Sequence, residues 1–349
     1  MTEVYFLQRN SRKQLYRDFD LLYERAFSGL IDKDDITAVK VHFGEYGNKT
    51  YIKPVYIKKI VKKIKENKAN PFVTDSNALY KGMRHNSLDH LENARLNGFT
   101  FETLDAPVII ADGMHGHNFH EVEINKNHFN KVKIAAEIYN SNSIIFASHF
   151  KGHMTAGFGG AIKNIAMGCA SRAGKQQQHS STKPEINKEI CINCKNCNEW
   201  CPEDAIRYNQ GFAVIDYEIC VGCSECVAAC KPGAIGIKFD SSNKDFQEKL
   251  AEYAFGAVLH KKTGFINFLI DITKHCDCFD NPGDPVIDDI GILAGIDPVA
   301  VDLASYDLVK KANSNTDIFE KMHGIDSTIQ LNYAEDIGLG KKSYKIIKV

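Results

Sequence analysis

Residues 36–75 read ITAVKVHFGEYGNKTYIKPVYIKKIVKKIKENKANPFVTD, and this stretch decides the fold. Ile36 to Phe43 is β-rich, Pro54 to Glu66 is helical with a lysine-rich face, and Pro71 to Asp75 is a short strand. Outward from it the alternation continues with a helix at 87–97, a strand at 107–111, a helix at 130–140 and a strand at 143–148. Much later come a helix at about 244–262, the apolar strand Phe265 to Ile270, and a helix opened by Asp297-Pro298, where Asp caps and Pro occupies the first turn. Such alternation predicts an α/β protein with a mainly parallel sheet and flanking helices. Lys58 to Lys68 reads as a solvated helix face.

One segment breaks the pattern. Cys191, Cys194, Cys197 and Cys201 follow C-x2-C-x2-C-x3-C, and Cys220, Cys223, Cys226 and Cys230 repeat that spacing 29 residues later. Short gaps let three sulfurs wrap one cubane, while the following turn and helix carry each fourth cysteine away to the other cluster. One 4Fe–4S cluster is expected on Cys191, Cys194, Cys197 and Cys230, and a second on Cys220, Cys223, Cys226 and Cys201. Ala205-Ile206 recurs as Ala234-Ile235 at the same offset, so the repeat extends past the ligands. Paired structural zinc sites are the alternative that four thiolates also allow, but zinc sites seldom use this spacing. The segment resembles the dicluster ferredoxins over roughly 55 residues. Pro202 directly follows Cys201, whereas Pro232 stands one residue late after Cys230. A module of this kind relays low-potential electrons to or from a partner protein. The expected organisation is one α/β domain, 1–183 plus 241–349, interrupted by a small ferredoxin-like domain at 184–240.

The bulk figures set limits. With 349 residues, 44% hydrophobic and 25% charged, the composition is that of a soluble globular protein with ample material for a core. Forty-three basic against 44 acidic side chains leave a formal charge of −1, which points to neither nucleic acid nor membrane as a partner. Met1 to Gln14 lacks the apolar core of a signal peptide and no apolar run reaches the length of a membrane span, so a cytoplasmic location is expected. Eleven cysteines in that setting read first as metal ligands.

Open α/β sheets place ligands in the loops after their strands. Four such loops are informative: 40–45 (KVHFGE), 74–77 (TDSN), 112–117 (DGMHGH) and the run from Ser148 to His179. In the last, Gly157, Gly159 and Gly160 permit close backbone approach, and the helix that follows is expected to present free N–H groups to an anion. Lys163, Arg172 and Lys175 add cations, which together suit a small anionic ligand or a nucleotide-like cofactor. Packing of a tight turn is the plain alternative.

The stretches KVHFGE, TDSNALY, GFGGAIKN, CDC and DIGILAGIDPVAVD resemble the DUF362 family, a name that conveys no activity. A more distant resemblance is to the nickel-dependent lactate racemases, whose H…AGF…K…H segment holds a nickel-pincer nucleotide. His153, Ala156-Gly157-Phe158, Lys163 and His179 match that segment with the same spacing, although Ile162 stands where the racemase pattern has Arg. The resemblance implies His153 as a proton-transfer base, Lys163 as the residue contacting or holding a pyridine-type cofactor, and His179 as a metal ligand.

Three cysteines remain. Cys169 follows the glycine-rich helix, and Cys276 and Cys278 stand beside His275; together they would make an incomplete ligand set for a third metal or cluster, or else three reduced thiols. Among the histidines, His42, His115, His117, His149, His153 and His179 occupy the loops where imidazoles serve as ligands or acid–base groups. The leading expectation is an oxidoreductase passing electrons from two clusters to a substrate or metal cofactor in the α/β domain, with His42, His153, Lys163 and His179 as its chemical groups. An electron-carrier or cluster-delivery protein, and a racemase or isomerase, are the alternatives.

Overall fold

The computed structural model describes residues 1–79, 82–179, 184–201, 203–209, 211–220, 225–236 and 243–349. Eight strands form the central sheet, in the order Val108–Ile110, Asn70–Asp75, Ile36–Val41, Ser143–His149, Lys262–Leu269, Gly291–Gly295, Thr2–Gln8 and Tyr344–Lys348. The first five run parallel. Gly291–Gly295 is antiparallel to both neighbours, and Thr2–Gln8 pairs parallel with the last strand. The chain is thus an α/β protein with a mainly parallel sheet.

Period-two alternation feeds two cores. Val39, Val41, Ile145, Ala147, Ile266 and Phe268 face the helices Arg12–Phe27 and Pro54–Glu66. Ala38, Ile144, Phe146, Phe265 and Leu269 face the helices Ala161–Gly168, Asn243–Val258 and Pro298–Ala312. Asp297 caps the last of these through the N–H groups of Val299 and Ala300, with Pro298 in the first turn. The lysines of Pro54–Glu66 are not a bare face: Lys59 pairs with Asp20 at 3.0 Å and Lys63 with Glu24 at 2.7 Å.

One expected element is different. In place of a helix over 130–140, Lys131–Ala135 is a strand paired antiparallel with Phe119–Glu123, and only Ala136–Asn140 is helical. The run KVKIA alternates polar and apolar residues, and the strand lets Val132 pack directly against Gly256, where a Cβ would lie 2.4 Å from the valine methyl.

Residues 184–236 make a small unit with its own core of Cys197, Ile206, Ala213, Ile215, Cys226, Val227 and Ile235. It holds two two-stranded sheets, Glu185–Ile186 with Ile235–Gly236 and Ile206–Asn209 with Phe212–Ile215. Residues 237–240, the end of the expected domain, lie outside the described residues. Its helix Glu225–Ala229 packs against helix Arg172–His179 of the α/β body, and Trp200 stacks on His117 with ring centroids 4.0 Å apart. The chain leaves the body after His179 and is back in it by Phe246; these two rings stack at 4.7 Å.

Candidate functional site

After Ile36–Val41 the chain moves outward to Asn70–Asp75 and Val108–Ile110, then crosses back to Ser143–His149 on the opposite side. A reversal of this kind opens a crevice at the carboxyl ends of the strands. A cavity of about 280 Å³ lies there, lined by Lys40 and His42 from one strand end, Asp75 and Ser76 from the next, His149, Lys151 and His153 from the third, and Cys276 to Phe279 beyond Lys262–Leu269.

Its floor is a buried ion network. Lys40 Nζ lies 2.9 Å from Asp75 Oδ1 and donates to Asn164 Oδ1 at 2.9 Å; a Cβ at Gly168 would stand 2.3 Å from that amine. Burial pushes the Asp75 carboxyl up, but Lys40 and the neighbouring His42, His90 and Arg84 outweigh it and hold it well below the usual carboxylate range. Arg84 also pairs with Glu45 at 3.0 Å. Lys175 donates to Ser76 Oγ at 2.5 Å and to the Ala170 carbonyl at 2.9 Å, and burial lowers its amine to about 8. On the far wall Asp277 is held by His149 Nδ1 at 2.9 Å and Lys151 Nζ at 3.4 Å. His149 Nε2 faces the carbonyls of Ile270 and Asp271, so both ring nitrogens meet oxygen atoms. Burial pushes Asp277 up, yet His149 and Lys151 hold it below the ordinary range.

The balance of charge is positive. Lys40, Arg84, Lys151, Lys163 and Lys175 line the cavity against Asp75 and Asp277. Lys163 Nζ makes no hydrogen bond or ion pair among the described residues. Ile52, Leu79, Met154, Met167 and Phe279 supply an apolar wall. An anionic group on a partly apolar body fits that combination.

Two histidines stand over Phe246, His153 at 6.1 Å and His179 at 4.7 Å between ring centroids. Burial, then Lys163, drives both toward the neutral ring, His179 down to about 3. Nδ1 of His153 accepts the N–H groups of Thr155 and Ala156 at 3.3 and 3.2 Å, which leaves the proton of the neutral ring on Nε2. His42 is fixed in the same tautomer, since Gly44 N–H donates to its Nδ1 at 3.0 Å.

Of the residues singled out in the sequence, the cavity gathers His42, His149, His153, Gly159, Gly160, Lys163, Lys175, His179, Cys276 and Cys278. The helix after the glycine-rich turn does not present free N–H groups at Ala161 and Ile162. Asp302 places its carboxylate on the N–H groups of Ala161 and Ile162, at 2.6 and 2.8 Å, so the protein's own anion occupies that helix terminus. The glycines answer to packing: a Cβ at Gly157 would lie 2.2 Å from Ser327, one at Gly160 2.3 Å from Asp302, and one at Gly159 3.0 Å from Lys163. Arg172 turns away toward the 112–117 loop, where it meets the His115 carbonyl at 3.4 Å and Gly116 packs on its stem. Cys169 is fully buried in the apolar core, its thiol pushed up to about 12 by burial, and it does not join Cys276 and Cys278 on the cavity wall. His115 and His117 likewise lie outside the lining. Lys40, Asp75, Arg84, Asn164 and Asp277 were not singled out individually. Lysine and aspartate at the buried ends of adjacent parallel strands are the signal that pairs the first two.

In the small unit, Cys191, Cys194, Cys197 and Cys230 line one cavity of about 20 Å³. The repeat carries its hydrogen bonds as well: Ala205 N–H donates to Cys201 Sγ and Ala234 N–H to Cys230 Sγ, each at 3.2 Å, and Ala213 N–H reaches Cys191 Sγ at 3.4 Å. Among the described residues no three His, Cys, Asp or Glu side chains converge as ligands of a single metal ion. A cubane takes each thiolate on a different iron, so its ligands need not converge on one point. Cys223 lies outside the described residues.

The fold and the cavity define an α/β protein with a cationic strand-end pocket and a cysteine-rich inserted unit. The sequence profile of the family described as "Domain of unknown function (DUF362)" matches residues 37–307, and the chain belongs to that family. No curated protein matches it. Among solved structures it is similar to the lactate racemase apoprotein from Thermoanaerobacterium thermosaccharolyticum, at 12% identity and a TM-score of 0.45, covering 89% of this chain and 58% of that one. It is also similar to a protein from Thermotoga maritima, at 10% identity and a TM-score of 0.41, covering 75% of this chain and 52% of that one. The chain therefore spans little more than half the length of either structure. No helix among the described residues is long and apolar enough to cross a membrane.

Proposed function

We propose that the protein is an iron–sulfur oxidoreductase. Two 4Fe–4S clusters on the inserted unit pass low-potential electrons to an anionic substrate or cofactor in the strand-end cavity. The observation that carries this reading is the arrangement of Cys230, from the second repeat, on the same cavity wall as Cys191, Cys194 and Cys197 from the first. That exchange of the fourth ligand is what the dicluster spacing requires. Backbone N–H groups on three of the sulfurs suit thiolates bound to iron, which they stabilise. The route toward the cavity is short in sequence and in space: helix Arg172–His179 carries Lys175 and His179 on the cavity lining and packs against Glu225–Ala229, which carries Cys226. When bound, the clusters would supply the electrons; the chain's own residues bind the anion, through Lys163 and Lys175, and offer it hydrogen bonds from the Nε2–H groups of His42 and His153. The test is anaerobic purification with iron and sulfide analysis, identification of any co-purified anion, and single-turnover oxidation of the reduced clusters by that molecule. Full zinc occupancy with no iron after anaerobic reconstitution would refute it.

A second reading is supported by the gathering of His153, Lys163 and His179 in one cavity. These are the residues whose spacing resembles the nickel-dependent racemases, and they suit proton transfer at a carbon beside a carboxylate. Exchange of a bound hydroxy acid's α-proton with deuterated solvent, without reductant, would favour it over electron delivery.

A further inference from the structure

Cys276 and Cys278 share one turn, closed by the Phe279 N–H on the Cys276 carbonyl at 3.1 Å, and both line the cavity. Asp277 between them is buried and clamped by His149 and Lys151, which fixes the turn from the opposite side. His42, with its proton on Nε2, stands 3.7 Å from Cys278 Sγ. Neither cysteine is in a disulfide. Two thiols on one rigid turn, one of them facing an N–H donor and cations, are not needed for packing, and no proton step proposed for the histidines uses them.

We infer that Cys276 and Cys278 form a redox-active dithiol, with Cys278 as the attacking thiolate and Cys276 as the resolving thiol, acting on disulfides carried by anionic molecules. A hydrogen bond from Cys276, then the His42 contact and the charge of Lys163, lowers the Cys278 thiol well below its ordinary value, while the same bond and burial raise Cys276. The His42 Nε2–H on Cys278 and the deeper burial of Cys276 assign the roles, and the difference agrees with them, because the thiolate is the nucleophile. Cys278 attacks one sulfur of the substrate disulfide, forming a mixed disulfide and releasing one substrate thiolate. Cys276 then loses its proton to solvent and attacks Cys278 Sγ, releasing the second thiolate and closing the Cys276–Cys278 bond. Two electrons and one proton reopen that bond, leaving Cys278 as thiolate and Cys276 as thiol. Their source, one electron from each reduced 4Fe–4S cluster, rests on the proposed function. A disulfide within so short a loop is strained and therefore easily reduced.

The probe is 5,5′-dithiobis(2-nitrobenzoate), a dianionic disulfide, added anaerobically to the cluster-loaded protein, with the tryptic peptide beginning at His275 followed by mass. Two nitrothiolates released per chain in a fast phase, and a peptide two hydrogen atoms lighter without adduct, are expected. Cys276→Ser should release one and keep the adduct on Cys278; Cys278→Ser should lose the fast phase at least tenfold. A stable adduct on the native peptide, or no reaction there while both variants keep wild-type cluster absorption, overturns the dithiol. Photoreduction then separates the two ideas. If the internal disulfide forms but reopens no faster in loaded protein than in a Cys197→Ser variant lacking a cluster, the electron-relay reading fails and the dithiol assignment stands.

Discussion

The carboxylate of Asp302 lies 2.6 Å from the backbone nitrogen of Ala161, so a side chain 141 residues away caps the helix that carries Lys163. Asp302→Ala strands two buried N–H groups and the Asn267 amide, for an expected loss of about 2–4 kcal/mol in denaturant unfolding. Burial raises the Asp302 carboxyl to about 6. The folded state therefore holds this proton more tightly than the unfolded chain. The contribution to stability is fully present below the unfolded value and is lost as pH rises through about 6. Asp302→Asn should flatten that part of the pH–stability curve, and an unchanged slope would remove the assignment.

Among the described residues Lys163 has no hydrogen-bond or ion-pair partner to lose. Lys163→Ala should weaken an anionic ligand by about tenfold, roughly 1.4 kcal/mol, while unfolding stays within about 0.5 kcal/mol of wild type and cluster absorption is unchanged. Calorimetric titration beside a thermal melt checks both halves; full affinity in the variant moves the anion elsewhere.

Lys175, lowered to about 8, is a cation at neutral pH and loses its charge within the working range. Affinity for sulfate, whose own charge is constant there, should fall as pH rises through about 8, and Lys175→Gln should abolish that step. A pH-independent affinity in the native protein would show that Lys175 serves Ser76 and the Ala170 carbonyl alone.

Anaerobic protein should carry about eight iron atoms per chain, and Cys230→Ser should remove one cluster's signal while sparing the other. Electron paramagnetic resonance of the reduced protein reads this directly. Loss of both signals together would mean that the two sets of ligands are not separable.

Trp200, beside Cys201, stacks on His117 of the α/β body. Trp200→Ala should leave iron content intact but slow electron arrival in the cavity, measured by stopped-flow, with Trp200→Phe restoring part of the rate. Equal rates in all three would make the stack a docking contact only.

The sheet was legible because Ile36 to Phe43, Pro71 to Asp75 and Phe265 to Ile270 are β-rich runs separated by helical spacing, and each remains a strand. The short hairpin at 119–135 was not, since five-residue alternation beside a helical segment carries too little periodicity to decide. Strand-end loops located the cavity without revealing which of their side chains meet. His42, Lys163 and Cys278 come together only through long-range register. The glycine-rich turn was ambiguous for a physical reason: a turn open to a phosphate and a turn open to a buried aspartate need the same small residues, and Asp302 lies 142 residues beyond Gly160. Cys169 carried no local sign of its surroundings, a core that draws in Ile138, Phe146 and Leu250 from distant segments.

The stacking of His179 on Phe246 has a bearing on how such a chain can be assembled. The two ends of the cysteine-rich excursion meet at one point on the body, so the excursion enters and leaves through a single doorway. Lengthening, trading or deleting it would leave every strand pairing of the sheet as it stands. The folding of the body is thereby decoupled from that of the excursion: the scaffold can form without waiting for the cysteine-rich unit to close.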